Sequence, residues 1–250
     1  MSGDYRRALR QLSGTDASTP QKARLQGSIL CRTDQGAIVH AARVARVQLA
    51  MGAYGEAEST LRGPLSERRP QSPDGRAPAQ ALLARALFEQ GRDEEAEAAL
   101  REARRHDPQD YLSDLQAAEM LLRRGASPVL ALRRLDAARR NLDRVGSGPR
   151  LEHRGDTLAR LASLRAWALA ANADPVVTGQ ACRSAEERVP KGHRPTLSAV
   201  CCDLGRAYRL LGDREQAERC LRTAVAADPD GHAGALARQA LHRASRPADP

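Results

Sequence analysis

Residues 201–231 read CCDLGRAYRLLGDREQAERCLRTAVAADPDG, and the spacing around Gly212 decides the fold. Leu204, Gly205 and Tyr208 stand eight, seven and four residues before it. Ala217, Leu221, Ala224 and Pro229 stand five, nine, twelve and seventeen after it. Glycine tolerates the positive φ of a tight turn between two helices. Asp213 is suited to cap the second helix, with Gln216 completing a capping box. Gly205 and Ala217 are small where two backbones cross closely. Leu204, Tyr208, Leu221 and Ala224 recur at three- and four-residue spacings and form one apolar seam. Pro229 ends the second helix.

The same spacing recurs outward along the chain. Leu83, Ala84 and Leu87 precede Gly91; Ala96, Leu100, Ala103 and Pro108 follow it at matching offsets. Gly52 anchors a copy with Val44 and Ala45 before it, Ala57 and Leu61 after it, and Pro64 in the slot of an Ala. Gly125 has Ala117, Ala118 and Leu121 before it, and Ala131, Leu135 and Ala138 one residue late. Ala173 replaces the turn glycine in a further copy, between Ala166 and Leu169 on one side and Cys182, Ala185 and Pro190 on the other. There Arg165 occupies the slot of a Leu and Thr178 that of an Ala. Gly3, Ala8, Leu12 and Pro20 fit a half-unit, and the Gly/Pro/Ser-rich stretches 63–78, 145–156 and 190–196 read as loops.

Composition agrees. Of 250 residues, 46 are Ala and six are aromatic, which favours helix and excludes an all-β barrel or sandwich. No apolar run approaches a membrane span, and MSGDYRRALRQ lacks the apolar core of a signal peptide, so a cytoplasmic location is expected. The five cysteines are an odd count without any C-x-x-C, which argues against a disulfide framework or a zinc site. They read as small buried side chains in a reducing compartment. The formal net charge is +9, and all but two of the 40 basic residues are Arg. Arg with Ala is also what a GC-rich bacterial genome favours, but the charge still attracts anions.

The pattern L-G-x-x-Y, A-x-x-x-L-x-x-A, then P resembles the tetratricopeptide repeat, a helix–turn–helix unit of about 34 residues. The resemblance implies an all-α, right-handed superhelical solenoid of antiparallel helix pairs. It places one solenoid domain over 1–250: a half-repeat and extra helix at 3–33, five repeats near 38–71, 77–110, 111–145, 159–192 and 198–231, and a polar capping helix at 234–245. In the family the first helix of each pair lines a concave groove that holds a peptide, which implies a protein–protein interaction adapter or scaffold, not an enzyme.

Six residues before each anchor stand Arg46, Arg85, Glu119, Trp167 and Arg206. Three before stand Leu49, Phe88, Leu122, Ala170 and Arg209; nine before stand Arg43, Leu82, Gln116, Leu164 and Asp203. Arginine forks suit carboxylates. Arg43, Arg46, Arg85, Phe88, Glu119, Trp167, Arg206 and Arg209 are therefore the candidate groove residues, for an acidic or carboxylate-ended peptide with one apolar anchor. The family's chaperone-tail binders place Asn on this rung beside Lys and Arg; Arg46 and Arg85 stand here instead, so such a tail is not the expected partner. No catalytic constellation, nucleotide loop, cofactor motif or metal-ligand spacing appears, and no enzyme activity, cofactor or metal is expected. A nucleic-acid-associated or transcription-regulatory role on the basic surface is the alternative, opposed by the scarcity of aromatic side chains for base stacking. Self-association through exposed end helices is a further possibility.

Overall fold

A computed structural model describes residues 34–66, 73–145, 154–189 and 193–244. The half-repeat and extra helix expected at 3–33, and Cys31, lie outside the described residues. Within them the chain forms eleven helices and no strand: α1 Asp34–Met51, α2 Tyr54–Ser66, α3 Pro73–Glu89, α4 Asp93–His106, α5 Tyr111–Arg123, α6 Pro128–Arg144, α7 Arg154–Ala171, α8 Pro175–Glu187, α9 Arg194–Leu210, α10 Arg214–Ala227 and α11 His232–Ala244. They fall into two compact units, one running to Gln116 and the other starting at Ala117. In the first unit α1 packs on α2, α3 on α4, and α3 also on α1 and α2. In the second, α7 packs on α6, α8 and α9, α9 on α10, and α11 closes on α9 and α10. Each unit is thus a stack of antiparallel helix pairs, the tetratricopeptide-type solenoid arrangement.

The turns are built by one device. Gly52, Gly91, Gly125 and Gly212 have φ of +79°, +76°, +65° and +79°. At Gly212 its own N–H donates to Arg209 O (3.1 Å) and the Asp213 N–H to Tyr208 O (3.0 Å), the paired bonds of a Schellman turn. The same pair recurs at Gly52, Gly91 and Gly125. Among the described residues one non-glycine has positive φ, and it is Ala173 at 59°. An L-residue in the left-handed region costs about 1–2 kcal/mol. Ala173→Gly should therefore raise the melting temperature by about 2–4 °C, as expected for roughly 1 kcal/mol in a domain of this size. An unchanged or lowered melting temperature would show that this turn is not strained.

Helix starts follow the sequence with one difference. Asp213 Oδ1 accepts from Gln216 N (3.1 Å), Asp174 Oδ1 from Val177 N (3.1 Å) and Ser127 Oγ from Leu130 N (3.3 Å). The return half of the capping box at Gln216 does not form, because the Asp213 N–H is already engaged by Tyr208 O. Gln216 Oε1 is left buried without a partner. Helix also occupies both ends of the 63–78 stretch that reads as loop: α2 continues through Pro64 to Ser66 and α3 opens at Pro73. A proline near a helix end removes one backbone bond, and at the first helical position it removes none.

The seams are buried as the spacing requires. Leu204, Tyr208, Ala217, Leu221 and Ala224 are buried, as are Leu83, Ala84, Leu87, Ala96, Leu100 and Ala103. A Cβ on Gly205 would stand 2.6 Å from Leu221 Cγ, so glycine is needed where α9 crosses α10. Ala131, Leu135 and Ala138 are buried on α6 in the late register. In the Ala173 copy, Thr178 fills the core slot of an Ala by giving its hydroxyl to Asp174 O. Arg165 in the Leu slot faces outward and pairs with Asp136. Cys182, Cys201, Cys202 and Cys220 are buried free thiols. Burial pushes Cys182 and Cys220 up to about 11 and Cys201 to about 12, so all three are protonated and behave as small apolar groups.

Candidate functional site

First helices stack beside first helices, α1 beside α3 and α7 beside α9. Helices packed in this way lie about 10 Å apart, so equivalent positions on neighbouring first helices line up across a shared face. On α1, Arg43 and Arg46 are exposed along one edge of the buried stripe Ile38, Ala42, Ala45 and Leu49. On α3, Arg85 and Phe88 are half-buried. The first unit therefore holds three arginines and an aromatic ring on one pair of first helices. Arg85 Nε is buried and has no hydrogen-bond partner.

The second unit carries a different arrangement. Arg206 of α9 lies over the indole of Trp167 on α7, its Cζ 4.6 Å from the ring centroid. Trp167 is 8% exposed. A guanidinium over an indole is attracted by the ring face and keeps its N–H groups available as donors. Arg209 stands exposed one turn on. Beside this pair sits a buried charge cluster. Arg160 of α7 donates to Glu119 Oε2 of α5 (2.9 Å) and to Asp203 Oδ2 of α9. The Ser163 hydroxyl donates to the same Asp203 oxygen (2.7 Å). The side chains of Arg160, Glu119 and Asp203 are 14%, 10% and 4% exposed. Burial opposes the charge on Arg160, but Asp203 and Glu119 outweigh it and keep the guanidinium firmly protonated. Burial pushes the Asp203 carboxyl above the usual carboxylate range, and Arg160 pulls it back.

Candidate positions thus separate by environment. Trp167 and Arg206 come together in the second unit, whereas Glu119 is engaged by Arg160 instead of facing solvent. Arg160 and Ser163 lie outside the rung positions, and Asp203, nine residues before Gly212, is on a rung but not among the candidate groove residues. A signal was present: Arg160, Leu164 and Trp167 stand at i, i+4 and i+7, so a charge sits on an otherwise apolar stripe.

Among the described residues Arg43, Arg46, Arg85, Arg206 and Arg209 form no hydrogen bond and no ion pair. Arginines at the turns and second helices of the same repeats mostly do. Arg92 grips both oxygens of Glu95 (2.6 Å each) and also Glu58 (2.6 Å). Burial opposes the Glu58 charge, yet hydrogen bonds from Gln90, Arg92 and Arg62 hold its carboxyl below the ordinary range. Arg219 pairs with Glu186, and Arg222 with Glu218. Arg133, Arg140 and Arg144 on α6 are unpaired too. Lack of a carboxylate is therefore not itself the distinction; alignment on packed first helices is. No group of His, Cys, Asp and Glu that could hold a metal occurs among the described residues, and no described helix is long and apolar enough to cross a membrane.

Tetratricopeptide repeat models match residues 48–119 and 198–230. A search of the curated proteins gives no match. Among solved structures the chain is similar to the crystal structure of BtubC (BKLC) from P. vanneervenii, with 20% identity and a TM-score of 0.53 over 98% of this chain and 94% of that one. At that identity the likeness speaks for the fold. Repeats of this type generally mediate protein–protein interaction and act as adapters or scaffolds. With its turn anchors, buried seams and matched segments agreeing, the chain carries tetratricopeptide repeats at residues 48–119 and 198–230.

Proposed function

We propose that this protein is an adapter whose first-helix faces bind an acidic or carboxylate-ended peptide of a partner protein, in the cytoplasm. One observation carries the reading: arginines recur at the same position of first helices, Arg46 and Arg85 on the packed α1 and α3 of the first unit and Arg206 on α9 of the second, and none of them forms an ion pair. A cation left unpaired inside a protein with 31 acidic residues is available to a carboxylate from elsewhere. Arg43 and Arg209 extend the two faces, and Phe88 offers a flat apolar contact.

An Arg46→Ala/Arg85→Ala/Arg206→Ala variant should melt within a few degrees of the wild type, since the three arginines form no hydrogen bond or ion pair and only Arg206 contacts a ring, that of Trp167. It should lose at least tenfold in affinity for an immobilised oligoglutamate peptide. Unchanged binding, or equal binding to oligoglutamine by the wild type, would overturn the reading. The net charge of +9 favours a second reading, association with nucleic acid. That reading requires wild-type affinity for duplex DNA to fall steeply with salt; no binding at low salt removes it.

A further inference from the structure

The charged groups on the first-helix face of the second unit divide into two kinds. Arg160 donates to both buried carboxylates, Glu119 and Asp203, and Ser163 adds its hydroxyl to Asp203. Arg206 donates to neither, and its Cζ sits over the Trp167 ring, 4.6 Å from the centroid. Yet Asp203 and Arg206 are three residues apart on one helix, a spacing at which opposite charges ordinarily pair. Asp203 also feels the Arg206 charge directly. Without Arg160, Arg206 would be the cation within reach of an unsatisfied buried carboxylate, and leaving that carboxylate unpaired is costly.

We infer that Arg160 is a positioning residue: by taking both buried carboxylates it keeps Arg206 stacked on Trp167, with its N–H edge open to a peptide carboxylate. The clause about the peptide rests on the function proposed above; the placement of Arg206 does not. With Arg160 occupied by Glu119 and Asp203, an incoming carboxylate meets Arg206 and Arg209, and the five groups together carry a net charge of +1 from three guanidiniums and two carboxylates.

Trp167 is the sole tryptophan of the chain, so its emission reports the stack in the full-length protein. Arg160→Met should shift that emission to the position given by Arg206→Ala, because Arg206 leaves the ring for Asp203. It should also weaken oligoglutamate binding as much as Arg206→Ala does. Adding Glu119→Gln and Asp203→Asn to Arg160→Met should restore both wild-type emission and binding, a rescue that a purely structural role would not give. Should Arg160→Met fail to fold, Arg160→Lys, which keeps the charge but cannot fork to both carboxylates, should move emission the same way by a smaller shift. Wild-type emission in a folded Arg160→Met or Arg160→Lys chain, or no rescue by the triple substitution, overturns the inference. Emission changes as expected without oligoglutamate binding by the wild type would overturn the peptide reading alone.

Discussion

Arg160→Ala should cost the second unit about 3–5 kcal/mol of unfolding free energy, the usual effect of breaking a buried ion pair from one side. Glu119 would lose its guanidinium partner, and Asp203 would keep the Ser163 hydroxyl and draw Arg206 off Trp167, so two buried carboxylates would share one displaced cation. The size follows from this residual charge more than from the lost attraction. Replacing all three by apolar residues of similar volume should accordingly recover most of the loss. Urea unfolding followed by Trp167 emission measures it, since the tryptophan sits in the same unit. A loss under about 1 kcal/mol, the range of exposed ion pairs, would mean that the cluster is solvated in solution.

Tyr208→Ala is expected to cost a comparable amount, about 3–5 kcal/mol for removal of a buried aromatic ring. The ring is buried in the seam of the best-matching copy, and its hydroxyl donates to Glu186 Oε1 (3.1 Å), tying α9 to α8. Glu186 also accepts from Arg219 of α10 (3.1 Å), so one carboxylate joins three consecutive helices. Tyr208→Phe separates the two contributions. It should lose only the hydrogen bond, about 1 kcal/mol. A near-neutral Tyr208→Ala would place the ring outside the core and contradict the repeat register around Gly212.

Those two residues show what was legible in the sequence. Tyr208 could be read because its neighbours are local: the stripe it shares with Leu204 and the turn at Gly212 lie within one helix pair. The left-handed turn at Ala173 was legible for the same reason, since an anchor at the right offset specifies the turn even where the residue is strained. Thr178 could be placed only once Asp174 O was seen to accept its hydroxyl in the core. Arg160 stands out in the sequence as a charge on an apolar stripe, but its partners do not, because they lie 41 and 43 residues away and helix periodicity carries no information about which charges meet across a stack. The Gln216 capping box failed for a backbone reason: two motifs competed for the Asp213 N–H, and the Schellman bond to Tyr208 O took it.

Two-dimensional NMR of the arginine Nε–H groups during titration with an oligoglutamate peptide tests the account most directly. The signals of Arg43, Arg46, Arg85, Arg206 and Arg209 should move and saturate together within each unit, while those of Arg92, Arg160, Arg219 and Arg222, already held by carboxylates, stay in place. Movement confined to α6 or spread evenly over all arginines would contradict it, because the first-helix faces would then have no special claim on the ligand.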